Sequence, residues 1–281
     1  AIFISQSGET KDLHRCINIA KERDIFTIGV VNVVDSLIAR EVDCGVYLNA
    51  GTEVAVASTK AFTSQIIVLS LISVWIAQNK DLYLSKRMRY IEDLHNLGKD
   101  IGDSVNISSS IVDADMLTIF ENEPSCFLLG KGVGEGAARE GALKLKEITY
   151  IHTEGYSSSA LKHGPFALLH PGFPVILFAP DDAHFAKNQN AFQEMVSRGA
   201  EVIVIRNVNA DMVSESGEEG EEGDTLSVFS ESVREIIVPR NPTFQAIINI
   251  IPVQIMAYRL SVHRGINPDT PKNLAKVVTV E

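Results

Sequence analysis

The sequence predicts an α/β fold of the doubly wound kind, parallel sheets flanked by helices, and three observations carry that prediction. Short apolar, strand-like runs alternate with longer helical patterns: Ala1–Ile4, Phe26–Val31 and Gly45–Leu48, then Cys126–Leu129, Phe173–Ala179, Glu201–Arg206 and Arg234–Val238. Hydroxyl-bearing loops open two of the helices, the arrangement with which parallel sheets hold ligands at their carboxyl edge. Both halves repeat a strand–helix–strand plan without obvious sequence repetition, so the order reads as two α/β layers.

Taken in order, Ala1–Ile4 reads as a buried strand that leads through Ser5-Gln6-Ser7-Gly8-Glu9-Thr10 into a helix ending near Arg23. A strand, a hydroxyl-rich loop with Gly and a helix N-terminus form a natural phosphate cradle, because the free amides of the first turn and the positive end of the dipole favour an anion. Ser5, Ser7 and Thr10 hydroxyls and the Gln6 amide can add hydrogen bonds; simple N-capping by Ser7 is the plainer alternative. A short helix is expected near Ser36–Glu41. A long apolar one follows, with Ser58 and Thr59 at its start and the run Ile66–Ala77 inside it. That run has 12 residues, whereas a membrane span needs about 20, so it is expected to be a buried helix and no membrane association is expected.

Residues Leu82 to Val105 are polar, charged and helical in pattern, a bridge between two domains, and Ile111 to Glu121 reads as a further helix. The run Gly130-Lys131-Gly132-Val133-Gly134-Glu135-Gly136 looks like a dinucleotide fingerprint, but no acidic residue follows a suitable second strand, so no cofactor is assigned to it. Helices are expected near His184–Ser197 and Thr243–His263, and the acidic, glycine-rich stretch Ser214 to Asp224 is expected to be a surface loop away from the chemistry.

With 281 residues, 45% hydrophobic and 22% charged, the chain has a globular balance and room for two domains. A net charge of −11 argues against nucleic acid as a partner. Three scattered cysteines, Cys16, Cys44 and Cys126, suit neither a disulfide framework nor a metal cluster; they fit a reducing, cytoplasmic compartment. No metal site is expected. The chain does not begin with Met and opens directly on a strand, as an excised domain would, and no signal peptide is visible.

The chemistry concentrates in EGALKLKEITYIHTEGYSSSALKHGP, residues 140–165. Its first half reads as a helix on which Glu140, Lys144 and Glu147 share one face. Its second half reads as a small-residue, Ser-rich loop that delivers His163. Two carboxylates, an amine and an imidazole are the parts of general acid–base chemistry; a solvated helix face with an ordinary loop histidine is the plainer alternative. At the C-terminus, Lys276 stands among apolar residues in NLAKVVTVE, residues 273–281, so the tail is expected to dock. A desolvated lysine can serve as a nucleophilic amine toward a carbonyl, the plainer alternative being a surface lysine on a packed tail.

Five segments, SQSGET at 5–10, VASTKAFTSQ at 56–65, EGALKLKEITYIH at 140–152, LKHGP at 161–165 and NLAKVVTVE at 273–281, together resemble the isomerase half of the glutamine–fructose-6-phosphate aminotransferases, the glucosamine-6-phosphate synthases. The order and spacing match over essentially the whole chain. The resemblance implies two sugar isomerase (SIS) domains, 1–105 and 106–266, each a doubly wound parallel sheet flanked by helices, with residues 267–281 as an extended C-terminal tail that contributes to the active site. It implies a homodimer that converts fructose 6-phosphate and ammonia to glucosamine 6-phosphate without metal or organic cofactor, the ammonia coming from glutamine through an N-terminal glutaminase domain. Within that implication Ser5, Gln6, Ser7 and Thr10 hold the phosphate, while Ser58, the Val56 backbone and Ala275 complete the sugar site. Glu147 moves the proton between C1 and C2, Lys276 forms the imine and His163, reaching in from the neighbouring subunit, helps open the ring. Lys144 stabilises the developing oxyanion, supported by Glu140.

The sequence departs from the family pattern at several places. Ala160 stands where the family usually has Glu, Arg139 takes a normally apolar place, Ala55 replaces a usual Gly, and Val133-Gly134-Glu135-Gly136 replaces an aromatic-containing loop. The glutaminase domain and the first strand of the first SIS domain, with its CGTS-type loop, are not in this sequence. The eukaryotic branch is feedback-inhibited by UDP-N-acetylglucosamine, which the resemblance adds as a partner without assigning it residues. A non-catalytic sugar-phosphate-binding SIS module is the alternative function. It needs only the phosphate loops and leaves Glu147, His163 and Lys276 without a task. A plain phosphosugar isomerase has no need of the imine-forming lysine.

Overall fold

Eight strands, all in parallel pairs, form two sheets in the computed structural model, which describes residues 1–207, 229 and 233–276. The expected acidic loop at 214–224 and the last part of the tail, 277–281, lie outside the described residues. The chain divides into two compact units: Ala1–Ile91 with Asn267–Glu281, and Glu92–Ile266. The division falls within helix α4 (Leu84–Ile111), in which the expected boundary at residue 105 also lies.

In the first unit, strands β1 (Ile2–Ser5), β2 (Ile28–Val31) and β3 (Cys44–Tyr47) run in parallel in that order. The register pairs Ile4 with Val30 and Val30 with Val46. Because side chains alternate across a strand, Phe3 and Val31 point to one face and Ile28 and Val46 to the other. Phe3 and Val31 pack on Ile17 of helix α1 (Lys11–Lys21) and Ile38 of helix α2 (Leu37–Glu41). Ile28 and Val46 face helix α3 (Lys60–Asn79) across an apolar hollow of about 390 Å³, lined also by Val68, Leu71, Ile72 and Trp75.

Helix α3 is not the buried helix its composition suggests. Among its residues only Ala61 is buried, and Trp75 is 64% exposed. A helix that is apolar nearly all round needs partners on several sides, and three short strands cover only one of them. By length and composition α3 and the last helix, α8 (Gln245–His263), would each suffice to cross a membrane.

In the second unit the strand order is β5-β4-β6-β7-β8, with β4 (Ser125–Gly130), β5 (His152–Ser157), β6 (Pro174–Phe178), β7 (Glu201–Arg206) and β8 (Arg234–Ile237). Strands β4, β6 and β7 are almost wholly buried and apolar, as strands covered on both faces must be. Phe127, Leu129, Val175, Leu177, Val202 and Val204 pack toward Phe192 and Met195 of helix α7 (Phe185–Val196). On the other face, Leu128 meets Gly141 of helix α6 (Val133–Thr149), which also lies against Ile250 and Val253 of α8. Helices on both faces make this unit doubly wound. Cys126 sits fully buried in β4, whereas Cys16 and Cys44 are exposed.

Two local expectations change. Residues 152–157, expected to be loop, form the edge strand β5, paired in register with β4 from Ser125–His152 to Gly130–Ser157. The helix expected over 111–121 is interrupted at Val112 and Asp113. The Asp113 carboxylate accepts the Met116 N–H at 2.9 Å and starts a new short helix, α5 (Ala114–Leu117), which passes into a 3-10 turn, Thr118–Phe120. A side chain that competes for backbone donors in this way ends one helix and begins another.

Candidate active site

The loop between β1 and α1 folds around its own hydroxyls. Ser5 Oγ accepts the Gly8 N–H at 2.9 Å and lies 3.3 Å from Thr10 Oγ1, while Ser7 Oγ accepts the Glu9 N–H at 3.2 Å. Thr10 occupies the N-cap of α1 without a side-chain capping bond, so Ser7 shapes the loop and does not cap the helix. Gly8 has φ +68°, and a Cβ there would lie 1.9 Å from Ser36 Oγ, so the turn admits only glycine. The Glu9 carboxylate accepts the Leu37 N–H at 2.8 Å and fixes the loop to the start of α2.

Beyond β2, the Asn32 amide donates to Gly51 O at 2.8 Å and accepts from Ala50 N–H at 3.0 Å, tying two loops together. Between these loops and Gln6, Ser7 and Glu9 lies a cavity of about 690 Å³, walled further by Val33, Thr52, Glu53 and Lys276. It sits at the carboxyl edge of the three-stranded sheet, where parallel sheets bind ligands.

Glu53 is the residue that sequence reasoning missed. It is buried, and its Oε1 accepts from Ser58 Oγ at 3.0 Å, Thr59 N–H at 3.1 Å and Ala61 N–H at 3.3 Å, which anchors the start of α3. Its Oε2 accepts from Lys276 Nζ at 2.7 Å, and Lys276 also donates to Ala55 O at 2.7 Å. Burial alone would push the Glu53 carboxyl up. The hydrogen bonds from Lys276, Ala61 and Thr59 outweigh it and hold the group below the usual carboxylate range. One signal stood in the sequence: Glu53 is the single carboxylate between Asp43 and Asp81.

Lys276 therefore departs from expectation in one respect. It is seated as the ammonium of an ion pair, with its side chain 24% exposed, and is not a lysine desolvated by apolar neighbours. Of the other residues expected in this group, Gln6 and Ser7 wall the cavity, and Ser5 and Thr10 brace the loop behind it. Ser58 acts through Glu53; the Val56 N–H is engaged with Asp269 O at 3.2 Å, and Ala275 is exposed beside Lys276.

In the second unit, Glu140, Lys144 and Glu147 come together on α6 as their spacing predicts. Lys144 Nζ lies 2.8 Å from Glu147 Oε2 and 3.4 Å from Glu140 Oε1, and the lysine is only 4% exposed. Burial pushes the Glu140 carboxyl up, Lys144 offsets part of that rise, and Glu147 adds to it. One buried cation between two carboxylates, one of which favours protonation, can both take up a proton and hold a negative charge. His163 ends a 3-10 turn, Leu161–His163, is exposed, and forms no hydrogen bond or ion pair with these three groups.

The glycine run serves the β4–α6 turn. Gly132 has φ +59°, and a Cβ on it would lie 2.8 Å from His184 Nε2. The departures from the family pattern also find places. Arg139 pairs with Glu135 at 2.8 Å on the exposed side of α6, and Ala160 leads into the turn that carries His163. Among the described residues no group of His, Cys, Asp and Glu side chains is arranged to hold a metal ion.

The SIS domain family model matches residues 1–74 and 119–264. Over 283 residues the chain is 46% identical to a probable glutamine–fructose-6-phosphate aminotransferase [isomerizing] of Acanthamoeba polyphaga mimivirus, covering 100% of this chain and 43% of that protein. It is 38% identical over 281 residues to the probable enzyme of the same name from Schizosaccharomyces pombe, covering 100% and 38%. The chain thus spans about two fifths of the length of these curated relatives. The C-terminal domain of glucosamine-fructose-6-phosphate aminotransferase from Francisella tularensis superposes with a TM-score of 0.84 at 31% identity, over 96% of this chain and 72% of that one.

Proposed function

The chain belongs to the SIS-domain family, and from that premise we propose that it is the isomerase half of a glucosamine-6-phosphate synthase. The reaction converts fructose 6-phosphate and ammonia to glucosamine 6-phosphate, the entry to hexosamine synthesis. The observation that carries this reading is the buried Lys144 held between Glu140 and Glu147 on α6. Aldose–ketose interconversion needs one base that serves two adjacent carbons and a cation for the oxygen that becomes negative. Glu147 is that base, Lys144 that cation, and Glu140 supports it.

In this reading His163 protonates the ring oxygen as the ring opens, and Lys276, after giving up its proton, adds to the C2 carbonyl of the open-chain ketose and expels water as the imine forms; ammonia then displaces the lysine amine from C2. Ser5, Gln6, Ser7 and Thr10 hold the phosphate, whose binding energy orients the reacting carbons. Ser58, Val56 and Ala275 border the sugar. No metal or organic cofactor takes part.

The finer architecture is proposed with it: two SIS domains, a C-terminal tail that serves the active site, and a homodimer in which a neighbouring copy supplies His163. The intact enzyme draws ammonia from a glutaminase domain, works in the cytoplasm and answers to UDP-N-acetylglucosamine. The test is to incubate the chain with fructose 6-phosphate and follow glucose 6-phosphate, alongside Glu147→Gln. Turnover that Glu147→Gln abolishes upholds the proposal. Saturable binding without turnover in the unaltered chain overturns it in favour of a sugar-phosphate-binding module.

A further inference from the structure

Four donors converge on the Glu53 carboxylate. Oε1 accepts from Ser58 Oγ, Thr59 N–H and Ala61 N–H, and Oε2 accepts from Lys276 Nζ at 2.7 Å. Two oxygens that only accept can satisfy all four. A Gln amide has one acceptor and would turn its own hydrogens toward either the helix start or the lysine. The segment that carries Glu53 is fastened along its length. Asn32 bonds Ala50 N–H and Gly51 O, Lys60 Nζ donates to Thr52 O at 2.7 Å, and Val56 N–H donates to Asp269 O at 3.2 Å. The carboxylate is therefore a fixed abutment for whatever leans on it.

We propose that Glu53 is the positioning residue for Lys276: with the Ala55 carbonyl it aims the lone pair of the Lys276 amine into the cavity, and it then serves as counter-ion to the protonated imine. The role builds on the proposed function, in which Lys276 attacks the ketose carbonyl. Nζ is tetrahedral. One direction holds Cε, and two hold the N–H bonds to Glu53 Oε2 and Ala55 O, each 2.7 Å long. Among the described residues nothing takes the fourth. That direction is left for the third proton of the ammonium and, once this proton has passed to water, for the lone pair. Lys276 and Glu53 both wall the cavity, but the lysine side chain is 24% exposed and that of Glu53 only 4%. The open side of the pair is the lysine's. An amine held at one angle meets a carbonyl in a productive orientation far more often than one that turns freely.

Glu53 does not itself take the proton. Burial works against its ionised form, but the hydrogen bonds from Lys276, Ala61 and Thr59 hold the carboxyl below the usual range, which makes it a poor proton acceptor. The step balances without a further reactant. Ammonium and ketone become protonated imine and water: the Nζ–C2 bond forms, the C2–O bond breaks, and two of the three hydrogens on Nζ pass through water to the departing oxygen. The nitrogen carries one positive charge before and after, so one fixed carboxylate suits both states. The hydrogen that stays on the imine nitrogen keeps its bond to Glu53, and the bond to Ala55 O is given up. A charged imine is the more electrophilic form, which favours the ammonia that displaces the lysine from C2.

The test follows Lys276 directly. Cyanoborohydride reduces an imine between Lys276 and fructose 6-phosphate to a stable secondary amine, which mass spectrometry locates on the peptide that carries residue 276. In the unaltered chain this adduct is expected to form saturably. In Glu53→Gln its maximal rate is expected to fall about 10–100-fold, with the half-saturating concentration of fructose 6-phosphate kept within about twofold. Glu53→Asp, the second variant, keeps the charge but draws the carboxylate back by one methylene, and a smaller fall of the same kind is expected. Lys60→Met loosens the same segment without touching the pair, and its maximal rate is expected to stay within about twofold. An unchanged maximal rate in both Glu53 variants, an effect confined to the half-saturating concentration, or an equal fall in Lys60→Met overturns the positioning role and leaves the pair as a clasp for the tail. No adduct on Lys276 of the unaltered chain overturns the imine-forming reading as well, so the two failures are told apart by the unaltered chain.

Discussion

Lys276 Nζ and Glu53 Oε2 stand 2.7 Å apart, and this ion pair seats residue 276 on the loop that precedes α3. Replacing Glu53 with Gln keeps an acceptor for Ser58, Thr59 and Ala61 but takes away the charge that faces the ammonium. The expected cost is roughly 1–3 kcal/mol, read as a lower urea midpoint for the first unit. The pH dependence follows from the sign. A carboxyl held below its ordinary value of 4.5 contributes stability that is fully present above 4.5 and lost as pH falls through the lowered value. Wild type is expected to lose stability in that acid window, and Glu53→Gln to lose less.

Removal of the Glu147 carboxylate as Glu147→Gln is expected to lower isomerisation roughly 10²–10⁴-fold, the usual worth of a positioned general base, with little change in fructose 6-phosphate affinity. Coupled glucose 6-phosphate assays separate the two.

Lys144→Met leaves the half-buried Glu140 and Glu147 without their cation, for which a cost of about 1–3 kcal/mol is expected at neutral pH. Here the sign is opposite to that of Glu53. A carboxyl pushed above 4.5 by burial penalises folding at high pH, and the penalty is relieved as pH falls through the raised value. Stability of Lys144→Met is therefore expected to improve on mild acidification, which thermal melts across that range test directly.

Gly8→Ala forces a side chain into the left-handed region and onto Ser36 Oγ. A loss of about 1–3 kcal/mol, together with weaker sugar-phosphate binding, is expected because the loop that presents Gln6 and Ser7 has to move. Calorimetry and melting curves on one preparation give both numbers.

Asn241, buried in the second unit, donates to Asp93 O at 2.9 Å and to Asp100 Oδ2 at 2.8 Å, and it accepts the Phe244 N–H at 3.0 Å ahead of α8. Asn241→Ala breaks all three bonds and strands a carbonyl and a helix-start amide, for an expected loss of about 2–4 kcal/mol at about 1–2 kcal/mol for each of these two groups. Denaturant titration measures it.

The strands with β-branched, apolar runs were legible because period and composition agree there, and the α6 cluster was legible because i, i+4, i+7 spacing leaves no freedom. Strand β5 was not. His152-Thr-Glu-Gly-Tyr-Ser157 has the composition of a turn, and it is extended because it completes the edge beside β4. Gly155 also lies so close to α6 that a Cβ would come within 2.5 Å of Arg139 Cα. The exposure of α3 was equally hidden, since an apolar pattern says that a helix wants cover and not how much its sheet provides. Glu53 was overlooked because its partner lies at the other end of the sequence. No local pattern pairs residue 53 with residue 276.

Cys126 offers a clock for the second unit. Its thiol lies at the centre of β4, and burial pushes its pKa up, so as long as the sheet is shut it is both unreachable and protonated. Cys16 and Cys44 are exposed and react first. Once they are blocked, any further alkylation of the chain counts the moments when β4 parts from β5 or β6. A thiol reagent and a mass spectrometer can thus time the opening of one sheet while the rest of the molecule keeps silent.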